Sequence, residues 1–165
     1  MILFGIDPGT ATTGYGFVEV DKKNNLSSLE FGQIKTGKEQ FMEQRLFKIF
    51  NSMESLIKKY SPDVMVVEKL FFNTNVKTAM TVGQARGIYL LSAGKNNIPV
   101  FEYTALEAKK VLTGYGRAEK DEVREVVKRR LSLKVDVRPI DASDALAMAL
   151  CHIDKSGLVG DINGS

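Results

Sequence analysis

Residues 1–10 read Met-Ile-Leu-Phe-Gly-Ile-Asp-Pro-Gly-Thr. Ile2 to Ile6 is a short apolar run with the length of a buried strand. Asp7 closes the run, and Pro8 and Gly9 break it. A carboxylate at such a strand end is either a turn-former or a ligand, and for a lone Asp the turn is the commoner case.

Working outward, Gly14 to Val20 reads as a second strand and Lys22-Lys23-Asn24-Asn25 as a hairpin turn. Leu26 to Thr36 alternates loosely as a third strand. The chain therefore opens with three antiparallel strands. From Phe41 to Tyr60 the period becomes helical, with Met42, Leu46, Ile49, Met53, Leu56 and Tyr60 spaced by three or four. Ser61-Pro62-Asp63 stops that helix. Val64 to Val67 is β-branched and almost wholly apolar, which predicts a strand buried on both faces. Glu68 ends it, where glutamate is rare unless paired or bound to a cation.

Val76 to Ala93 predicts a second helix, carrying small residues Ala79, Gly83 and Gly87 at i, i+4, i+8. Glycine is costly inside a helix, so the stripe implies close packing, either on the protein's own sheet or on a second copy. Ile98 to Phe101 reads as a fifth strand. Thr104 is placed to cap a helix over Ala105 to Leu112, and Ala118 to Leu131 forms another. Asp141 opens a last helix with Ala145, Leu146, Ala149, Leu150 and Ile153 as its apolar face. Asp141 and Asp144 share one side of its first turn, where acidic residues also suit the helix dipole. The pattern predicts one domain over residues 1–155 and a flexible tail over 156–165.

The chain has 165 residues, one cysteine and one histidine, so neither an intrachain disulfide nor a zinc cluster is available. Cys151 reads as a small buried helix residue. The first apolar run is too short for a leader, and no stretch approaches the roughly 18 residues of a membrane helix. A cytoplasmic protein without membrane contact is expected. The net charge is +3, but residues 105–134 hold nine Lys/Arg against five Asp/Glu, so the excess positive charge lies in one segment. Such a segment suits a polyanion, although part of it, around Lys128, Arg129 and Arg130, reads equally as a solvated helix face.

In α/β sheets, sites gather at the carboxyl ends of strands. If the strands ending in Asp7 and Glu68 are neighbours, their carboxylates repel unless a cation lies between them. Together with Asp141 and Asp144 they make an oxygen-only donor set. That set suits two Mg²⁺ ions, with Mn²⁺ as a substitute, and hence phosphodiester hydrolysis. Lys109 and Lys120 bracket a glycine-containing loop and suit phosphate contacts. Phe71 and Phe72 follow Glu68 closely and can stack on unpaired bases, or tuck into the core.

The residues resemble the RuvC family of bacterial Holliday-junction resolvases. The matching motifs are Gly-Ile-Asp-Pro-Gly-Thr at 5–10, Val-Val-Glu-Lys-Leu-Phe at 66–71 and Gly-Gln-Ala-Arg-Gly at 83–87. They continue with Lys-Lys-Val-Leu-Thr-Gly-Tyr-Gly-Arg-Ala-Glu-Lys at 109–120 and Asp-Ala-Ser-Asp-Ala-Leu-Ala at 141–147. The resemblance implies a ribonuclease H-like α/β fold, a five-stranded mixed sheet flanked by helices. It implies a homodimer that nicks a four-way DNA junction symmetrically in recombination and repair, together with a branch-migration motor. It assigns metal binding and catalysis to Asp7, Glu68, Asp141 and Asp144, with Lys120 assisting. It places DNA contacts at Phe71, Lys109, Arg117 and Lys120. It also matches the stripe around Gly83 and Gly87 to the family's dimer helix.

Three rival readings carry less. Asp7-Pro-Gly-Thr10 followed by Gly14 also resembles the phosphate loop of actin-like ATPases and sugar kinases, which need two such lobes; 165 residues have room for one. A non-catalytic nucleic-acid-binding module would not need four converging acids. A related nuclease acting on RNA ends is disfavoured by the matches at 109–120 and at Phe71.

Overall fold

The computed structural model describes residues 1–70 and 76–159, with 76–78 described by their backbone alone. Five strands form one sheet: β1 (Ile2–Asp7), β2 (Thr12–Val20), β3 (Leu26–Lys35), β4 (Val64–Glu68) and β5 (Val100–Tyr103). Their order is β3-β2-β1-β4-β5. The first three strands pair antiparallel, whereas β4 lies parallel to β1 and β5 parallel to β4. The sheet is therefore mixed and five-stranded, as the family resemblance implies.

The helices are α1 (Met42–Tyr60), α2 (Val76–Lys95), α3 (Ala105–Thr113), α4 (Lys120–Arg130) and α5 (Ile140–Ser156). Alternate residues of each central strand point to opposite faces. Phe4, Ile6, Met65 and Val67 join Ile49, Met53 and Tyr89 in a core under α1 and α2. Leu3 and Val66 join Ala108, Val127, Leu146 and Leu150 in a second core under α3, α4 and α5. The apolar runs at 2–6 and 64–67 are thus continuous because both faces are covered.

Local signals set most helix ends. Ser61 closes α1 at φ 46°, its N–H donating to the Ile57 carbonyl, just before Pro62. Thr104 and Glu107 cap α3 reciprocally, at 3.1 Å from Glu107 N to Thr104 Oγ1 and 2.9 Å from Thr104 N to Glu107 Oε2. The fifth strand begins later than its apolar run suggests. Ile98 is spent on closing α2, its N–H bonded to the Ala93 carbonyl at 2.9 Å, and Pro99 has no N–H for the ladder. The tail also begins later than residue 156: α5 runs through Ser156, and Leu158 and Val159 pack on the core. Residues 160–165 lie outside the described residues.

Residues Ala142, Ser143 and Ala145 through Ile153 of α5 are all buried, so this helix is covered around most of its circumference and leaves its acidic first turn open. It crosses the middle of the sheet at unusually close range. A Cβ on Gly5 of β1 would stand 1.9 Å from the Ala145 carbonyl oxygen, and one on Gly14 of β2 would stand 2.1 Å from that of Asp141. Only glycine allows this approach, which sets the first turn of α5 at the carboxyl end of β1.

Candidate active site

Asp7 and Glu68 are the last residues of β1 and β4. These strands are parallel neighbours with Ile6 opposite Val67, so the two acids leave the sheet side by side. Asp7 lies opposite Gly14 on its other flank, and Gly14 is the point over which the Asp141 backbone rests. Asp144 follows one turn along α5. Three distant segments thereby meet at one sheet edge.

The four carboxylates line one cavity of about 190 Å³. Lys109 of α3 and Lys120 of α4 line it too, and Ala108, Val123, Ala147 and Met148 give it apolar walls. Lys120 Nζ stands 3.2 Å from Asp144 Oδ2. The negative charge of Asp144, and then this hydrogen bond, raise the Lys120 pKa above the usual lysine range.

Crowding of like charge is visible at Asp7. Burial first, and then the charges of Glu68, Asp144 and Asp141, push its pKa from 3.8 up to about 8. The direct interaction of the Asp7 and Glu68 carboxyl groups raises Asp7 further and lowers Glu68. Burial raises Glu68 by more, with the charge of Asp144 adding to it, while Lys120 opposes the shift. A site that holds a proton on a carboxyl group at neutral pH has a strong demand for positive charge.

The donor chemistry fits a hard divalent cation. Every ligating group in the cavity is a carboxylate oxygen, and no histidine or cysteine lines it. His152 is buried instead, with its Nδ1 2.9 Å from the Tyr103 hydroxyl and its ring against Phe101. Cys151 is buried in α5. Among the described residues, no three such side chains are drawn in tightly enough to grip one ion as they stand.

The basic segment is less free than its composition suggests. Arg124 pairs with Asp121, Lys128 with Asp136, and Arg130 with Asp154 in a two-bonded fork at 2.6 and 2.7 Å. Lys128 and Arg130 are therefore committed to the fold. Arg117 is exposed on the loop between α3 and α4 and does not line the cavity. Phe71 and Phe72 lie outside the described residues.

The stripe on α2 faces solvent rather than the sheet. A Cβ on Gly83 or Gly87 would meet nothing within 4 Å, and Met80 and Leu91 on the same helix are exposed. Packing on the protein's own sheet is thus not what the stripe serves.

Two features of the site escaped the sequence reading. One is the pair Gly5 and Gly14, which admits α5; the signal was glycine inside β-branched and aromatic runs. The other is a buried hydroxyl pair, Thr13 and Tyr89, bonded to Gly9 just beyond Asp7. No sequence pattern marks that pair.

Comparison with known proteins places this geometry. Residues 3–152 match the family model of the crossover junction endodeoxyribonuclease RuvC. A protein of that name from Ruminiclostridium cellulolyticum is 47% identical over 152 residues, 92% of this chain and 91% of the relative. One from Desulforamulus reducens is 46% identical over 160 residues, 97% and 98% of the two chains. The solved RuvC of Thermus thermophilus superposes with a TM-score of 0.88 at 32% identity, over 96% of each chain. The same protein in complex with Holliday junction substrate gives 0.87 at 30% identity, again over 96% of each chain.

Proposed function

The chain belongs to the RuvC family of crossover junction endodeoxyribonucleases, and from that membership we propose how its cavity performs the reaction. The protein is an endodeoxyribonuclease that resolves four-way (Holliday) DNA junctions, an activity of recombination and repair. It depends on divalent metal. The observation that carries the mechanistic reading is the convergence of Asp7, Glu68, Asp141 and Asp144 on one cavity that no histidine or cysteine lines.

We assign these four carboxylates to two Mg²⁺ ions, replaceable by Mn²⁺. Such ions supply an activated water and charge neutralisation at the leaving oxygen of an in-line phosphodiester displacement. Asp7 lies between Glu68 and the α5 acids and is the residue best placed to serve both ions. It must release its proton to do so. Asp141 and Asp144 approach from the α5 side, held at their height by the Gly14 contact. Lys120 stands at the cavity rim and can swing from Asp144 to a phosphate oxygen, where a fixed cation favours the more negative transition state. Lys109 of α3 lines the same cavity and can bind backbone phosphate beside it. Arg117 and Phe71 are carried over from the family motifs as DNA contacts, Phe71 as a base-stacking side chain.

Symmetric nicking of two strands requires two such sites. The outward stripe of α2, flanked by exposed Met80 and Leu91, suits a homodimer in which two backbones approach closely. A branch-migration motor as a further partner rests on family likeness alone. Among the described residues no helix is long and apolar enough to cross a membrane; a cytoplasmic location follows from the DNA substrate. The nuclease domain is taken to run from residue 1 through Val159, the last described residue packed on the core.

The test is cleavage of a mobile four-way junction beside a linear duplex of the same sequence, with Mg²⁺, with Mn²⁺ and with chelator. Paired nicks in the junction alone, abolished by chelator, are expected. Equal cutting of the duplex would overturn the junction reading, and cutting in chelator would overturn the metal reading.

A further inference from the structure

Tyr89 lies on the inner face of α2 and is fully buried. Its hydroxyl is 2.7 Å from Thr13 Oγ1, 3.1 Å from the Gly9 carbonyl oxygen and 3.3 Å from Gly9 N. Thr13, buried as completely, donates to the same carbonyl at 2.7 Å. One assignment of protons closes a ring: Gly9 N–H donates to Tyr89, Tyr89 to Thr13, and Thr13 to Gly9 O. A single residue, Gly9, is thereby held at both its amide and its carbonyl from α2 and from β2.

Gly9 is separated from Asp7 only by Pro8, whose ring fixes φ. A clamp on Gly9 therefore governs the direction in which the chain leaves Asp7. Tyr89 is close enough to feel the Asp7 charge. A phenylalanine would fill the same space without a hydroxyl to desolvate, so packing alone does not call for tyrosine. The opposite face of the same helix carries the exposed Gly83 and Gly87.

We infer that Tyr89 is a positioning residue for Asp7, acting with Thr13 through Gly9 to hold the carboxylate in its ligating orientation and tying it to the helix that bears the outward stripe. The inference rests on the reading of Asp7 as a metal-binding carboxylate. Groups one shell out from a metal ligand alter metal affinity by roughly 10–100-fold when removed, and Tyr89 acts through two intervening residues, so the low end of that range applies.

The experiment compares wild type, Y89F, T13V, the Y89F/T13V double variant and D7N as full-length chains. Each is titrated with Mn²⁺ while free ion is followed by electron paramagnetic resonance. Junction affinity in chelator and the melting temperature are measured alongside. Y89F is expected to need about tenfold more Mn²⁺ for half-saturation, with chelator-phase junction affinity near wild type and a melting temperature lowered by no more than several degrees for the lost hydrogen bonds. T13V should match it, and the double variant should be no worse than either, because the two hydroxyls act as one unit. Unchanged Mn²⁺ half-saturation in Y89F and T13V, with D7N impaired, would overturn the positioning role and leave the site reading intact. Unchanged Mn²⁺ binding in D7N would overturn the site reading itself. If Y89F does not fold, T13V carries the same measurement, since valine keeps the threonine's shape.

Discussion

Gly14 of β2 faces Asp141 of α5 so closely that a Cβ on it would stand 2.1 Å from the Asp141 carbonyl oxygen and 2.8 Å from the Asp141 Cβ. Both obstacles sit on a helix covered around most of its circumference, so neither moves without lifting α5. Gly14→Ala is therefore expected to cost about 1–3 kcal/mol through overpacking. Melting temperature should fall by several degrees, and the specific cleavage rate of the folded fraction should fall as well. Gly94→Ala, where an added Cβ meets nothing within 4 Å, supplies the control and should hold or slightly raise stability. Thermal melts of the two variants decide the matter; a neutral G14A would show that α5 does not rest on the sheet at that point.

Asp7→Asn tests the centre of the site. It keeps shape and removes the charge, so cleavage should fall by more than about a hundredfold, the scale of losing one well-placed electrostatic group. Junction binding in chelator should hold at neutral pH, where Asp7 already carries a proton. It should tighten relative to wild type only as pH passes about 8, where the wild-type carboxylate begins to repel the phosphates. A nicking assay and a gel-shift in chelator measure the two effects separately. Wild-type cutting by D7N would remove Asp7 from the mechanism.

The same residue predicts a pH signature. In the metal-free protein Asp7 holds its proton up to about pH 8, where its unfolded counterpart loses it near 3.8. The folded state therefore binds the extra proton between those values, and its stability falls as pH rises through that window. Below the window both states are protonated and the contribution is fully present. Melts in chelator should show wild type losing ground to D7N as pH climbs towards 8. Divalent cation should reverse the deficit most strongly at the high end, since it takes the proton's place. Parallel pH profiles for the two proteins would mean that Asp7 is not crowded by the other three acids.

Much of this site could be read from the chain because its parts lie where local pattern is strongest. Asp7 and Glu68 end apolar runs that only a doubly covered strand explains, and Asp141 and Asp144 share a helical face whatever the helix packs against. Their meeting depended on strand order, which single runs do not encode; β1 beside β4 is a property of the whole sheet. Ile98 was misplaced because an apolar residue serves a helix end as well as a strand. The pairing of Lys128 and Arg130 was invisible in the charge count because their partners, Asp136 and Asp154, lie outside α4. The Tyr89 ring could not be foreseen, since its members are 76 and 80 residues apart.

Lys120→Ala should reduce the cleavage rate about 10–100-fold while lowering junction affinity only modestly, since one phosphate contact is a small share of a large interface. Its exposed side chain adds little to stability through Asp144, so the melting temperature should barely move. Single-turnover rates at saturating protein isolate the chemical effect from binding. An unchanged rate would take Lys120 out of the reaction and leave it as a surface partner of Asp144.

Gly87→Glu tests the dimer with the fold's own energetics turned to advantage. The position is exposed, helical and open, with nothing within 4 Å of an added Cβ. Replacing glycine in such a place should stabilise the isolated protomer by about 0.5–1 kcal/mol. A large charged side chain at a close helix contact would at the same time force the two backbones apart and leave buried charge facing charge. The variant should thus elute and scatter light as a monomer that still melts cooperatively, at or somewhat below the dimeric wild type, whose melting point also carries the stabilisation of association. It should also lose the coordination of its paired nicks, leaving single nicks or intact junction. Loss of pairing in a chain that still melts cooperatively cannot be ascribed to unfolding. A G87E chain that stays dimeric would place the interface elsewhere on the molecule.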